Sequence, residues 1–320
     1  MRHFDFTPTP IHLLDYYSKK WKINLWCKRD DLFAKAGGGS KARMLQYILY
    51  PLLQNKIEVL ITAGGPYSNY NRAAGLMCAE LGIKMKLVSY TDNIEEYRNS
   101  LNHFLTEMSG VEFIYCDKAS VPLTIDRVIR DTEQKAEKYV YLYGGGKCLE
   151  GIYAYYDAVR EFKFQFDSKI DAVFVACGTG TTLTGICAGM QEFFPKALVY
   201  GISVARKYLD ESAVLDANMH LLNSYLNTRY DFSNLRFCDE YLVGGYGKCS
   251  SREQDIIKEC ISKQGMLIDP TYSGKAFYGM SEILEAGFCK SSVLFWNTGG
   301  IMNLLSQRDL FDNENRGVTK

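Results

Sequence analysis

Short apolar runs rich in β-branched residues alternate along the chain with longer stretches whose apolar positions recur every three to four residues. The first kind reads as strand and the second as helix. The pattern predicts strands at Val59–Thr62, Lys86–Val88, Val111–Tyr115, Tyr139–Tyr143, Ala172–Ala176, Val199–Ser203 and Val293–Trp296. Among them it predicts helices at about Asn69–Leu81, Glu95–Met108, Leu123–Ala136, Thr182–Phe193, Arg252–Lys263 and Gly274–Ala286. Continuous apolar strands separated by helices imply an α/β fold with parallel sheets covered on both faces. A glycine turn, Gly144-Gly145-Gly146, precedes a candidate domain boundary near Glu150–Tyr156.

One uncharged run, Ala172 to Gln191, is 20 residues long. Its Gly/Thr-rich centre fits a buried strand, loop and helix better than a membrane span. The chain of 320 residues is 47% hydrophobic and 23% charged, an ordinary globular profile long enough for about two domains. Lys+Arg and Asp+Glu both number 37, so the net charge is zero. That balance argues against nucleic acid or an anionic membrane as partner and favours a small molecule. The ten cysteines, Cys289 among them, are scattered singly without a CxxC pair, and the four histidines are unclustered. No metal site and no disulfide framework is expected; these cysteines suit a reducing compartment, the cytoplasm. Met1–Asp5 opens with charges, so no signal-peptide core is expected there.

The chemistry-bearing candidates lie where predicted strands meet helices. Gly37-Gly38-Gly39-Ser40-Lys41 bares a segment of backbone and then presents an amine, which can contact a phosphate or form an imine with a carbonyl. Alone it could equally be a surface loop. Cys177-Gly178-Thr179-Gly180-Thr181-Thr182 follows a strand and opens a helix, where free N–H groups and the positive end of the helix dipole make a phosphate cradle. It is not the dinucleotide fingerprint, because Leu183 holds the last glycine position. Gly64-Gly65-Pro66-Tyr67-Ser68-Asn69-Tyr70-Asn71-Arg72 follows a strand and runs into a helix whose start, at Ser68 and Asn69, suits a carboxylate, although Ser or Asn there could be a plain helix cap. Asp269-Pro270-Thr271-Tyr272-Ser273-Gly274-Lys275 and Trp296-Asn297-Thr298-Gly299-Gly300 close the set. Tyr272 could polarise a leaving group or could simply pack, as one of 23 tyrosines.

A lysine, a phosphate cradle and a carboxylate-type loop without a metal site are what pyridoxal phosphate requires. The ordered motifs, running from Thr7-Pro8-Thr9-Pro10 through Lys28-Arg29-Asp30-Asp31 to Thr298-Gly299-Gly300, resemble the fold-type II pyridoxal phosphate enzymes. Within them the chain is similar to the family of D-cysteine desulfhydrase and 1-aminocyclopropane-1-carboxylate (ACC) deaminase. The resemblance implies a tryptophan synthase β-like fold with two open twisted, mostly parallel sheets. It implies a small domain over 44–156 inserted into a large cofactor-binding domain of 1–43 and 157–320, and a homodimer. It also implies that Lys41 holds the cofactor and moves the Cα proton, Asn69 meets the ring hydroxyl, and Ser68 binds the substrate carboxylate. Gly178 to Thr182, following Cys177, would hold the phosphate, and Tyr246 and Tyr272 would face the substrate.

The chain departs from the family at Ser40, which replaces the usual Asn, and at Ser273, where ACC deaminases carry Glu. Tyr67, Tyr70 and Asn71 are also atypical. A hydroxyl from Ser273, with Thr298 near it, would leave the ring nitrogen without a carboxylate. That weaker electron sink suits rapid loss of a β-substituent better than cyclopropane opening. The expected activity is α,β-elimination on a small amino acid such as D-cysteine. The alternatives are ACC deamination, a β-replacement or dehydratase reaction, and a non-catalytic cofactor- or amino-acid-binding protein.

Overall fold

The structure, a computed structural model, describes residues 8–242, 244–288 and 291–311. Met1–Asp5, Thr7 and Cys289 lie outside the described residues. The strands are β1 (Ile11–Leu13), β2 (Asn24–Arg29), β3 (Val59–Gly64), β4 (Lys84–Tyr90), β5 (Glu112–Cys116), β6 (Tyr139–Tyr141), β7 (Ala172–Cys177), β8 (Leu198–Ser203), β9 (Leu235–Cys238) and β10 (Ser292–Asn297). The helices are α1 (Asp15–Trp21), α2 (Ser40–Gln54), α3 (Asn69–Leu81), α4 (Glu95–Asn99), α5 (Leu101–Met108), α6 (Val121–Gln134), α7 (Leu149–Gln165), α8 (Thr181–Phe193), α9 (Tyr208–Leu226), α10 (Ser251–Glu259), α11 (Ser273–Glu285) and α12 (Ile301–Ser306).

The strands form two sheets, ordered β1-β2-β10-β7-β8-β9 and β5-β4-β3-β6. Every pairing is parallel except β1 with β2. All six residues of β7 are buried, because helices cover both faces of the larger sheet and leave no strand face to water. Val173, Val175, Leu294 and Trp296 point to one face and join α2, α7 and α8 in a core. Ala172, Phe174, Val293 and Phe295 point to the other and pack with Tyr17, Ile257, Phe277 and Met280.

The first core also contains Leu60, Met85 and Leu87 from the smaller sheet, with Ala73, Ala74 and Met77 of α3 between. The positions 44 and 156 fall inside α2 and α7 rather than in linkers. Met44, Leu45, Ile152 and Tyr155 of these two helices share that same core.

Two of the anticipated helices are interrupted. Ser100 takes an extended conformation, accepts the N–H of His103 at 3.2 Å as a cap, and donates to Pro66 O at 2.8 Å. The 95–108 stretch is therefore α4 and α5 rather than one helix. α10 ends at Glu259 and continues as a π-turn through Cys260–Gln264 before Gly265. α2 lacked a legible signal because every residue from Ala42 to Leu49 is buried, which erases the polar face that periodicity depends on.

Candidate active site

The C-terminal ends of strands from both sheets open into one cleft of about 1490 Å³. This is where open α/β sheets bind ligands, since loops there meet helix N-termini. Lys41, Ser68, Asn69, Tyr246, Tyr272 and Thr298 all line it, as do Cys177 to Gly180 and Thr182. Residues up to 257 positions apart in sequence (298 minus 41) thus converge on one space.

Lys41 stands in the first turn of α2, after three glycines with positive φ. These glycines serve chain-to-chain contact first. A Cβ on Gly38 would lie 2.1 Å from Asp31 O, and one on Gly39 3.0 Å from Thr298 O. Gly39 N–H donates to Asp30 O at 2.8 Å and Ser40 N–H to Thr298 O at 2.9 Å, pinning the lysine loop to the Thr298 loop. The Lys41 ammonium donates to Gly145 O at 2.7 Å. Burial lowers its pKa to about 8.

Beneath this turn lies a buried polar cluster. Asp30 receives Thr9 Oγ1 and Tyr155 Oη, Trp296 Nε1, and two nitrogens of Arg43, while Glu161 receives Arg43 and Lys28. Burial pushes Asp30 up, yet Arg43 and Lys28 beside it hold the carboxyl below the usual range. The Lys28-Arg29-Asp30-Asp31 motif and Arg43 thus anchor the α2 start rather than reach the cleft.

The cradle follows β7. Gly180 takes φ 73°, and a Cβ there would crowd Glu211 Oε1 at 2.9 Å. Thr179 and Thr182 face the cleft. Thr181 is fully buried, its Oγ1 3.3 Å from that of Thr179, so its side chain is closed off from a ligand. Burial pushes the Cys177 thiol up, which keeps it a neutral packing group at the strand end. A Cβ on Gly145 would stand 3.3 Å from Thr179 Cγ2. The Gly144–Gly146 segment, read from sequence only as a turn, therefore joins the Lys41 amine to the cradle.

Ser68 caps α3, accepting the N–H of Asn71 at 3.2 Å, and still lines the cleft. Asn69 Oδ1 accepts from Asn102 Nδ2 at 3.1 Å. Arg72 closes the Gly64–Arg72 stretch, and the sequence assigned it no role. Its Nε donates to Asn102 at 2.8 Å and its other nitrogens to Ala36 O and Gly38 O. Burial lowers its pKa to about 10. Arg72 ties the carboxylate-type helix to the lysine loop, and only tertiary contact reveals it.

Tyr246 Oη and Tyr272 Oη are 2.6 Å apart, with rings at 75°. Burial and the neighbouring phenol push Tyr272 up. Ser273 corrects an expectation. It is fully buried and absent from the cleft lining. Its hydroxyl lies 2.7 Å from Asp269 Oδ1 and 3.0 Å from Gly299 O, and accepts Asp269 N–H at 2.8 Å. Asp269 and Gly299 O consume that hydroxyl, whereas the half-buried Thr298 does line the cleft. No lining residue from 269–300 is a carboxylate.

Among the described residues, no group of three His, Cys, Asp or Glu could hold a metal. None of the described helices is long and apolar enough to cross a membrane, and the nine described cysteines are free.

Residues 4–299 match the family model described as pyridoxal-phosphate dependent enzyme. A Thermotoga maritima protein named as a candidate 1-aminocyclopropane-1-carboxylate deaminase is 31% identical over 305 residues, covering 94% of this chain and 96% of its own. A D-cysteine desulfhydrase of Klebsiella pneumoniae is 28% identical, covering 92% of each chain. A solved structure described as an ACC deaminase homologue superposes with a TM-score of 0.88 at 28% identity, over 95% of this chain and 93% of that one.

Proposed function

From the premise that the chain belongs to the pyridoxal-phosphate-dependent enzyme family, we propose that it eliminates the β-substituent of a small amino acid. With D-cysteine and water the products are pyruvate, hydrogen sulfide and ammonia.

The residues present fit the cofactor. A buried amine with pKa about 8 stands on one side of Gly145, and the glycine–threonine cradle at the start of α8 stands on the other. An amine of that pKa is substantially neutral near pH 8 and ready to attack an aldehyde. The open N–H groups of the first turn of α8, with Thr179 and Thr182, suit a phosphate dianion. Thr298, on the cleft wall, would be the residue that meets the ring nitrogen. Bound there, pyridoxal phosphate supplies an electron sink for the bonding pair released at Cα.

The chain's own groups do the rest. Lys41 would hold the cofactor, and its neutral amine would take the Cα proton. The N-terminus of α3 and the Ser68 hydroxyl bind the carboxylate, with Arg72 lending positive charge behind them. Tyr272, backed by Tyr246, hydrogen-bonds the departing sulfur and hands it a proton. The observation that carries the reading is this phenol pair lining the same cleft as Lys41, on a wall without a carboxylate. The names of the Thermotoga relative and of the solved neighbour favour ACC ring opening as the second reading.

A panel of D- and L-amino acids, with ACC, tests both readings by 2-oxo acid release and sulfide measurement. Sulfide and pyruvate from D-cysteine support elimination; 2-oxobutyrate from ACC alone replaces it with the second reading. Cofactor absorbance that no amino acid perturbs overturns both in favour of a binding protein. A large domain of 1–43 and 157–320, a small one of 44–156, and a cytoplasmic homodimer complete the proposal. The free cysteines support the reducing compartment.

A further inference from the structure

Tyr246 occupies a segment that should not hold still. Gly244, Gly245 and Gly247 have φ of 75°, 96° and 72°. No heavy atom stands within 4 Å of where a Cβ on Gly245 or Gly247 would lie, so nothing packs on that side of either residue. Among the described residues, its internal backbone bonds are Gly245 N–H to Leu242 O at 3.0 Å and Lys248 N–H to Gly245 O at 3.3 Å. Glycines impose a large entropic cost on such a fixed conformation.

Lys275 supplies the restraint. It lies in the first turn of α11, three residues beyond Tyr272, and is completely buried. Its ammonium donates to Leu242 O at 2.9 Å and to Gly245 O at 3.0 Å, gripping both sides of the turn that presents Tyr246. Glu253, buried at the capped start of α10, supplies compensating negative charge. The helix that one phenol caps therefore clamps the backbone of the other.

We infer that Lys275 is a positioning residue: it holds the 244–247 segment so that Tyr246 Oη stays bonded to Tyr272 Oη, and the two phenols act as one proton-handling unit. Lys275 does not line the cleft and acts through Tyr246. This role in turnover rests on the elimination reading; the clamp itself does not.

The test has two arms. In the cofactor-free protein, amide hydrogen exchange over 242–248 is compared between wild type and Lys275→Met. The clamp predicts exchange faster by roughly tenfold or more in the variant, with α8 and β7 unchanged. Unchanged protection of 242–248 overturns it. In the loaded enzyme, Lys275→Met lowers kcat by roughly 10²-fold and leaves KM within about twofold, as for loss of a general acid. In the Tyr246→Phe background the same substitution costs nothing further. A full additional loss there shows that Lys275 acts elsewhere and overturns the assignment. Should Lys275→Met not fold, Lys275→Leu, which also lacks a donor, serves in both arms with the same criteria. If no amino acid is turned over by wild type, the elimination reading fails while the exchange arm still decides the clamp.

Discussion

Arg43 and Asp30 form a two-bonded ion pair in the protein interior, Nη2 to Oδ1 at 2.7 Å and Nε to Oδ2 at 3.1 Å, with neither side chain more than 1% exposed. Arg43 is two residues from Lys41, and Asp30 O holds Gly39, so the pair fixes the turn that aims the amine. Arg43→Met leaves Asp30 charged and short of its main counter-ion. Removal of one partner of a buried pair costs about 3–5 kcal/mol. We expect a denaturation midpoint lowered accordingly, with cofactor affinity lost in the fraction that remains folded. Urea titration followed by circular dichroism measures it.

Lys41 carries a pH signature. Its folded pKa of about 8 lies below the ordinary 10.5, so the unfolded chain binds more protons between those values. Stability of the cofactor-free protein therefore gains an increment as pH rises from about 8 toward 10.5. Lys41→Met lacks that increment, and the difference between the two stability–pH curves isolates it. Cofactor loading of wild type follows the neutral amine, with a midpoint near pH 8 read by absorbance. Lys41→Ala gives no covalently retained cofactor after borohydride reduction and no turnover.

Two glycines separate backbone strain from close contact. Gly38 and Gly82 have similar φ, 78° and 69°. A Cβ on Gly38 would lie 2.1 Å from Asp31 O, whereas one on Gly82 would meet nothing within 4 Å. Gly82→Ala should cost only the left-handed backbone term, roughly 1–2 kcal/mol. Gly38→Ala should cost clearly more and displace the Lys41 turn, abolishing cofactor loading. Chemical denaturation of both, with absorbance titration of cofactor, checks the pair.

Ser273 gives a negative expectation. Its hydroxyl is enclosed between Asp269 and Gly299 O, and burial already raises Asp269 to about 6. Ser273→Glu puts a second carboxyl against that one and should destabilise the protein without creating ACC ring opening. Ser273→Ala removes the hydroxyl that accepts from Asp269 N–H and donates toward Asp269 Oδ1 and Gly299 O, and should cost about 1–3 kcal/mol with the cofactor spectrum unchanged. Thermal melts and 2-oxobutyrate release distinguish these outcomes.

Much of the fold was legible from local pattern. Asn69–Leu81 is a helix over the anticipated residues, because Ser68 caps it and Gly82 ends it in the left-handed conformation, both local signals. The buried strands β7 and β10 announced themselves as unbroken apolar runs. β1, β2, α2 and α9 were not anticipated: β1 is a three-residue edge strand, residues 42–49 of α2 are buried all round, and α9 buries Glu211 and Asn218 while exposing Leu209 and Leu221, so its apolar positions trace no single face.

The sequence by itself determined which residue types could do the chemistry: an amine after glycines, a glycine–threonine turn at a helix start, and tyrosines after Gly-Gly and Asp-Pro. These depend on neighbours within a few positions. Tertiary structure alone decided which of them share a space. It turned Thr181 and Ser273 inward and Thr298 outward, made Gly145 the link between amine and cradle, and set Lys275 beneath Tyr246. Neighbouring side chains on a turn differ only in direction, and direction is fixed by packing against chain distant in sequence.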